Sequence, residues 1–123
     1  MLCAYLSLDE VNQDLAATLA AGAGVELDAL TFRDAAPAGQ FDAALYDLDS
    51  LPPAYRRALL ADLEAGRWVE PVAVHSYNLS ARQARALRRR GVIVGRQLQS
   101  KLFARLLAAV AARRANSNVG EIV

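Results

Sequence analysis

The sequence predicts an α/β domain, a five-stranded parallel sheet with helices on both faces. Three observations carry that prediction. Five short apolar runs alternate with stretches of helical periodicity. One of those runs, Phe41 to Tyr46, is apolar on both faces, as a strand in the middle of a parallel sheet must be. The chain has 123 residues, 54% apolar and 22% charged, enough for one domain with a real core and too apolar for disorder. Right-handed crossovers leave few topologies for this pattern.

Taken in order, Leu2 to Leu8 reads as the first strand, closed by Asp9 and Glu10. Val11, Leu15, Thr18 and Leu19 follow at helical spacing, with Ser7 or Asp9 as the cap and Gly22 and Gly24 as the stop. Val25 to Phe32 alternates on its way in, as an edge strand does. Arg33 to Gln40, with Pro37 and Gly39, leaves room for a loop or a single turn. The central strand then delivers Asp47 to its carboxyl end, where open α/β sheets gather ligands and chemistry. The competing reading is that Asp47 and Asp49 simply begin a loop.

Pro52 and Pro53 open the next helix. Tyr55, Leu59, Leu60 and Leu63 form its apolar face, and Gly66 ends it. Val72 to His75 is the fourth strand. A basic helix runs from Ala81 to Arg90, with Ala84 and Leu87 inward. Val92 to Val94 is the fifth strand. Ser100 caps a last helix whose stripe is Leu102, Phe103, Leu106, Leu107 and Val110. Residues 1–115 read as the domain. Residues 116–123 read as a tail without periodicity, expected to be mobile.

Other classes are excluded. The longest apolar run, Leu102 to Ala112, is interrupted by Arg105 and is too short to span a bilayer. No basic-then-apolar leader is visible, so a cytoplasmic location is expected. The single cysteine, Cys3, rules out an internal disulfide framework and reads as a packed hydrophobe. No glycine-rich phosphate loop follows the first strand. His75 and Ser76 are adjacent in a strand and so point to opposite faces, which argues against a catalytic pair.

The net charge of +1 hides a division. Residues 1–80 carry 4 Arg/Lys against 12 Asp/Glu, net −8, and residues 81–123 carry 10 against one, net +9. A molecule so divided invites charged partners.

With the strands placed, the chain resembles the receiver domain of bacterial two-component response regulators from about Leu2 to Arg113. Leu8-Asp9-Glu10 is similar to the acidic cluster closing that family's first strand. Phe41 to Asp47 is similar to its phosphoacceptor strand, with Asp47 at the phosphorylated position. Pro71 to Ser76 resembles the fourth strand, Ser76 matching the switch hydroxyl. Val92 to Arg96 and Leu102 to Leu106 resemble the last strand and helix. The resemblance implies a flavodoxin-like three-layer sandwich with strand order 2-1-3-4-5, here with its second helix reduced or absent. It also implies Mg²⁺ held by Asp9, Glu10 and Asp47 if the site is active, and no cofactor otherwise.

The sequence departs from the family where the chemistry is most demanding. Leu8 stands where the first acid belongs, and Gly95 where the lysine belongs. Arg96 replaces the following proline and is a displaced, bulkier cation. Val92 replaces the aromatic partner of the switch. Removing a carboxylate weakens the hold on a hard cation. Removing the fixed cation weakens stabilisation of the phosphoryl group. The expectation is therefore a pseudo-receiver, not an enzyme, with a degenerate site at Asp47, Ser76 and Arg96, acting by protein contact in bacterial signalling. The alternatives are an active receiver phosphorylated on Asp47, and a nucleic-acid-contacting module.

The basic helices supply the contact surface. Arg82, Arg85 and Arg89 recur at helical neighbour spacing, and Lys101 and Arg105 lie on the last helix. In the family these two helices and the fifth strand form one face. The expected partner is a protein with an acidic surface, or a second copy through that face, with nucleic acid second. The competing reading is that the arginines only solubilise an alanine-rich helix.

Overall fold

The computed structural model describes residues 1–30 and 40–122, with side chains of the last helix through residue 116. The expected loop between the second and third strands, with its reduced helix, lies outside the described residues, as do Thr31 and Phe32. Five strands, β1 (Leu2–Leu6), β2 (Glu26–Leu30), β3 (Ala43–Asp47), β4 (Val72–His75) and β5 (Ile93–Gly95), pair in parallel in the order β2-β1-β3-β4-β5. Among the described residues four helices, α1 (Glu10–Gly22), α2 (Pro53–Glu64), α3 (Ala81–Arg89) and α4 (Ser100–Ile122), connect and cover them, and a 3₁₀ turn, Leu48–Ser50, follows β3.

Local signals explain the helix ends. Asp9 caps α1 by accepting the Asn12 N–H. Pro53 stands in the first turn of α2, where its missing N–H has no partner to lose. Ser80 and Gln83 form a reciprocal capping box on α3. Gly91 then reverses the chain at φ +87° with the Trp68 ring against it, so a side chain would be strained there. The backbone of α4 continues to Ile122, past the periodic stripe that ended the sequence reading at residue 115.

Strand alternation divides the core into two layers. Tyr5, Leu45, Ala73 and Ile93 pack with Ala16 and Ala20 of α1 and Phe103 and Leu106 of α4. Leu6, Val72, Val74 and Val94 pack with Leu60 and Leu63 of α2 and Leu87 of α3. The same period of two decides which face each polar residue at the carboxyl edge will serve.

Candidate functional site

At the carboxyl edge, Asp47 and His75 are register partners, as are His75 and Gly95. Asp47 and His75 follow Leu45 and Ala73 by two residues and Ser7 follows Tyr5 by two, so all three serve the α1/α4 side. They form one closed cluster. The Asp47 side chain is 2% exposed, His75 3% and Ser7 0%. Ser7 Oγ donates to Asp47 Oδ2 at 2.8 Å, and Asn12 Nδ2 from the first turn of α1 donates to the same oxygen at 3.0 Å. His75 Nδ1 lies 3.8 Å from Asp47 Oδ1, and His75 Nε2 is 2.7 Å from the Tyr5 hydroxyl.

Electrostatics fixes the roles within this cluster. Burial pushes the His75 ring below its ordinary value, against the pull of the Asp47 and Asp49 carboxylates, so the ring is neutral near pH 7. The adjacent carboxylate favours the ring hydrogen on Nδ1, which leaves Nε2 to accept from Tyr5. Burial, helped by the Asp47 charge, pushes the Tyr5 phenol well up, so it remains a donor. Ser7 acts in two directions, donating to Asp47 and accepting the Asp9 N–H at 3.1 Å. Asp47 is thus held by a hydroxyl and an amide, with a neutral imidazole 3.8 Å away.

The position beside His75 explains why no fixed cation joins them. A Cβ built on Gly95 would lie 2.9 Å from Leu102 Cδ2. Leu102, docked from the first turn of α4 and 3% exposed, fills the space a longer side chain would need. Arg96 is exposed and has no hydrogen bond or ion pair to Asp47. It lines a cleft of 240 Å³ with Lys101 and Arg105 on the outer side of β5.

Ser76 is not brought to Asp47. One residue beyond His75, it serves the α2/α3 side, where its Oγ donates to Asp49 Oδ1 at 2.5 Å. Asp49 also accepts the Tyr77 N–H at 2.8 Å and sits 3.9 Å from Arg56 Nη1. Burial pushes the Asp49 carboxyl up, but the hydrogen bonds from Ser76 and Tyr77, with Arg56 nearby, outweigh it and hold the group below its ordinary value. The expected pair is therefore two pairs: Asp47 with His75, and Asp49 with Ser76.

The residues do not form a carboxylate cage for Mg²⁺. Asp9 and Glu10 are exposed, and one oxygen of Asp9 caps α1. Among the described residues no three His, Cys, Asp or Glu side chains converge to hold a metal. Cys3 is buried, and desolvation pushes its thiol up to about 12, away from reactivity at neutral pH.

Ser7 was read only as a candidate helix cap, and Asn12 and Arg56 were not singled out in the sequence. Ser7 had a legible signal, being the lone polar residue at the end of an apolar strand with the parity of Tyr5. Asn12 and Arg56 had none, because each reaches the site from a helix whose placement depends on packing. Arg82, Arg85, Arg89, Lys101 and Arg105 are all exposed on α3 and α4, and α3 and α4 both pack against β5. Among the described residues none of these five has an ion-pair partner.

Sheet order, two-faced helical cover and polar groups gathered at the carboxyl edge define a flavodoxin-like α/β fold of the receiver type. No family model and no curated protein matches the chain. Solved structures do. A response regulator receiver protein from Pseudoalteromonas atlantica aligns with a TM-score of 0.67 at 7% identity, covering 93% of this chain and 99% of that one. A candidate pilus assembly protein from Burkholderia thailandensis aligns with a TM-score of 0.67 at 18% identity, covering 91% and 98%. A candidate pilus assembly-related protein from Burkholderia pseudomallei aligns with a TM-score of 0.62 at 20% identity, covering 91% and 90%. At these identities the likeness is one of fold. No helix among the described residues is long and apolar enough to cross a membrane.

Proposed function

We propose that this protein is a receiver-fold signalling domain that works by protein–protein contact, with phosphorylation of Asp47 weak or absent. The observation that supports it most is the surroundings of Asp47, a buried carboxylate held by neutral donors, with Leu102 packed against Gly95, two strands away, at the position where the family's lysine would stand. Phosphoryl transfer to a carboxylate depends on positive charge that offsets the charge on the transferred group. A nucleophile must also present a free oxygen, whereas Asp47 is nearly inaccessible. The likeness to two candidate pilus assembly proteins is in keeping with a receiver fold used for contact.

The test is incubation with a small acyl phosphate and Mg²⁺, read by intact mass. The expected result is no stoichiometric adduct. Stoichiometric, base-labile phosphate that disappears in Asp47→Asn overturns the proposal in favour of an active receiver. The unpaired cations of α3 and α4 favour one second reading, contact with nucleic acid. Binding that falls steeply with salt and is lost in Arg82→Glu/Arg85→Glu supports it, and no binding at low salt removes it.

A further inference from the structure

The sheet order turns a division along the sequence into a division in space. β2, with Glu26 and Asp28 exposed, is one edge of the sheet, and α1, with Glu10 and Asp14 exposed, packs against it. β5 is the opposite edge, flanked by α3 and α4 with their unpaired cations. From residue 81 to residue 120 the chain contains no Asp or Glu, so nothing nearby in sequence neutralises the basic edge. The cleft there is lined by Arg96, Lys101 and Arg105 and by no carboxylate. Among the described residues Glu10, Asp14, Glu26 and Asp28 also lack ion-pair partners.

The acidic edge carries an apolar component as well. Val11 is 75% exposed, Leu15 42% and Leu8 37%, and Val11 and Leu15 are one helical turn apart on α1. A helix of a globular domain normally turns such residues inward, so an exposed row beside Glu10 and Asp14 marks a contact surface.

We infer that the partner of the basic edge is the acidic edge of a second copy of this chain, joined head to tail. This rests on the proposal that the domain acts by protein contact and names the contact. Complementarity decides the geometry. A two-fold dimer through the basic edges would set Arg96, Lys101 and Arg105 against their own copies, and a two-fold through the acidic edges would oppose carboxylates. Displacement of one copy across the width of the sheet places Glu10 and Asp14 of one molecule at the cleft of the next. It also covers Val11 and Leu15. Such a contact is heterologous and leaves one free edge at each end, so assembly is open-ended and weakens with salt.

Sedimentation velocity over a concentration series tests this, on the full chain and on two variants checked by circular dichroism. One is Glu10→Lys/Asp14→Lys and the other is Lys101→Glu/Arg105→Glu. At low ionic strength the wild-type average mass should rise continuously with concentration, and high salt should return it to monomer. Each variant should weaken self-association by about tenfold, the size expected for two surface pairs turned from attraction to repulsion. An equimolar mixture of the variants should regain self-association, because the intact basic edge of one meets the intact acidic edge of the other and the two reversed edges are again opposite in charge. A mixture that stays monomeric overturns the inference. So does a salt-sensitive dimer lost only in the basic-edge variant, which would indicate a two-fold contact and leave the protein-contact proposal standing. A wild type that is monomeric throughout overturns it too, and leaves that proposal to an acidic partner of another kind.

Discussion

Two polar clusters stand at the carboxyl edge of the same sheet, one residue apart at the end of β4, and they are built in opposite ways. On the α1/α4 side, Asp47 is sealed among Ser7, Asn12, His75 and Tyr5 and meets only neutral groups. On the α2/α3 side, Asp49 and Arg56 keep 24% and 22% of their side-chain surface open, and Ser76 bridges them. The first arrangement has the economy of a core, where a polar group is tolerated only when its partners are all present. The second is that of a surface network, in which water can replace a lost bond. Two carboxylates two residues apart in sequence differ this much because the chain leaves β3 at Asp47 and turns at once into the 3₁₀ turn that carries Asp49 to the other side.

The largest expected effect is at Asp47. Asp47→Ala removes the acceptor of the buried Ser7 hydroxyl and of the half-buried Asn12 amide, and takes the carboxylate away from the neutral His75 ring. At about 1–3 kcal/mol for a buried unsatisfied group, a loss of about 3 kcal/mol is expected from the denaturant midpoint. Asp47→Asn, which retains an acceptor oxygen, should cost about 1 kcal/mol. Equal, small costs for the two variants would mean that water reaches the cluster, and the contrast between the clusters would fail.

A smaller effect is expected from pH. His75 is buried neutral, so its folded-state value lies below the ordinary 6.5 that the unfolded chain has. Between those two values the unfolded state binds the extra proton. Stability is therefore fully present above 6.5 and is lost as pH falls toward the folded value, by no more than about 1.4 kcal/mol per pH unit for one proton. Asp49 adds its own loss only lower, below the ordinary 3.8, because its folded value is depressed. Stability curves measured at descending pH should show the first decline near neutrality, and His75→Gln should remove that decline while leaving the acid one. A curve unchanged by His75→Gln would break the assignment of the ring as neutral.

Ser76→Ala should give the smallest change, about 1 kcal/mol, the net worth of an ordinary hydrogen bond, because although Ser76 is itself buried its partners Asp49 and Arg56 remain partly open to water. Thermal unfolding measures it. A cost as large as that of Asp47→Ala would erase the distinction between the sealed cluster and the open one.

The sequence made the scaffold legible because the strands were short, mostly apolar runs bounded by acidic residues, Gly or Pro. Pro53 and Leu87 stand where the first-turn preference of proline and helical periodicity place them. The edge character of β2 was readable from its alternation. The pairing of side chains across the sheet was not. Ser76 was matched to Asp47 through a family likeness, yet the parity that separates His75 from Ser76 assigns only one of them to the face of Asp47. Register decided which, and register depends on all five strands together. Tyr77, two residues past the end of β4, is 61% exposed, since it lies beyond the strand where alternation no longer applies.

Leu102 has a consequence for the routes by which this sequence can change. Its side chain anchors the start of α4 against β5 and also occupies the volume beside Gly95. A lysine introduced at residue 95 meets Leu102 Cδ2 and must force it aside, at a cost of about 1–3 kcal/mol for overpacking. Shortening Leu102 to Ala first opens a cavity under α4, at about 2–5 kcal/mol. Each step spends a large part of the 5–15 kcal/mol that a typical domain possesses, and only the pair together offers a cation to Asp47. The two positions are thus epistatic, and single substitutions lead away from a charged site before any lead toward it.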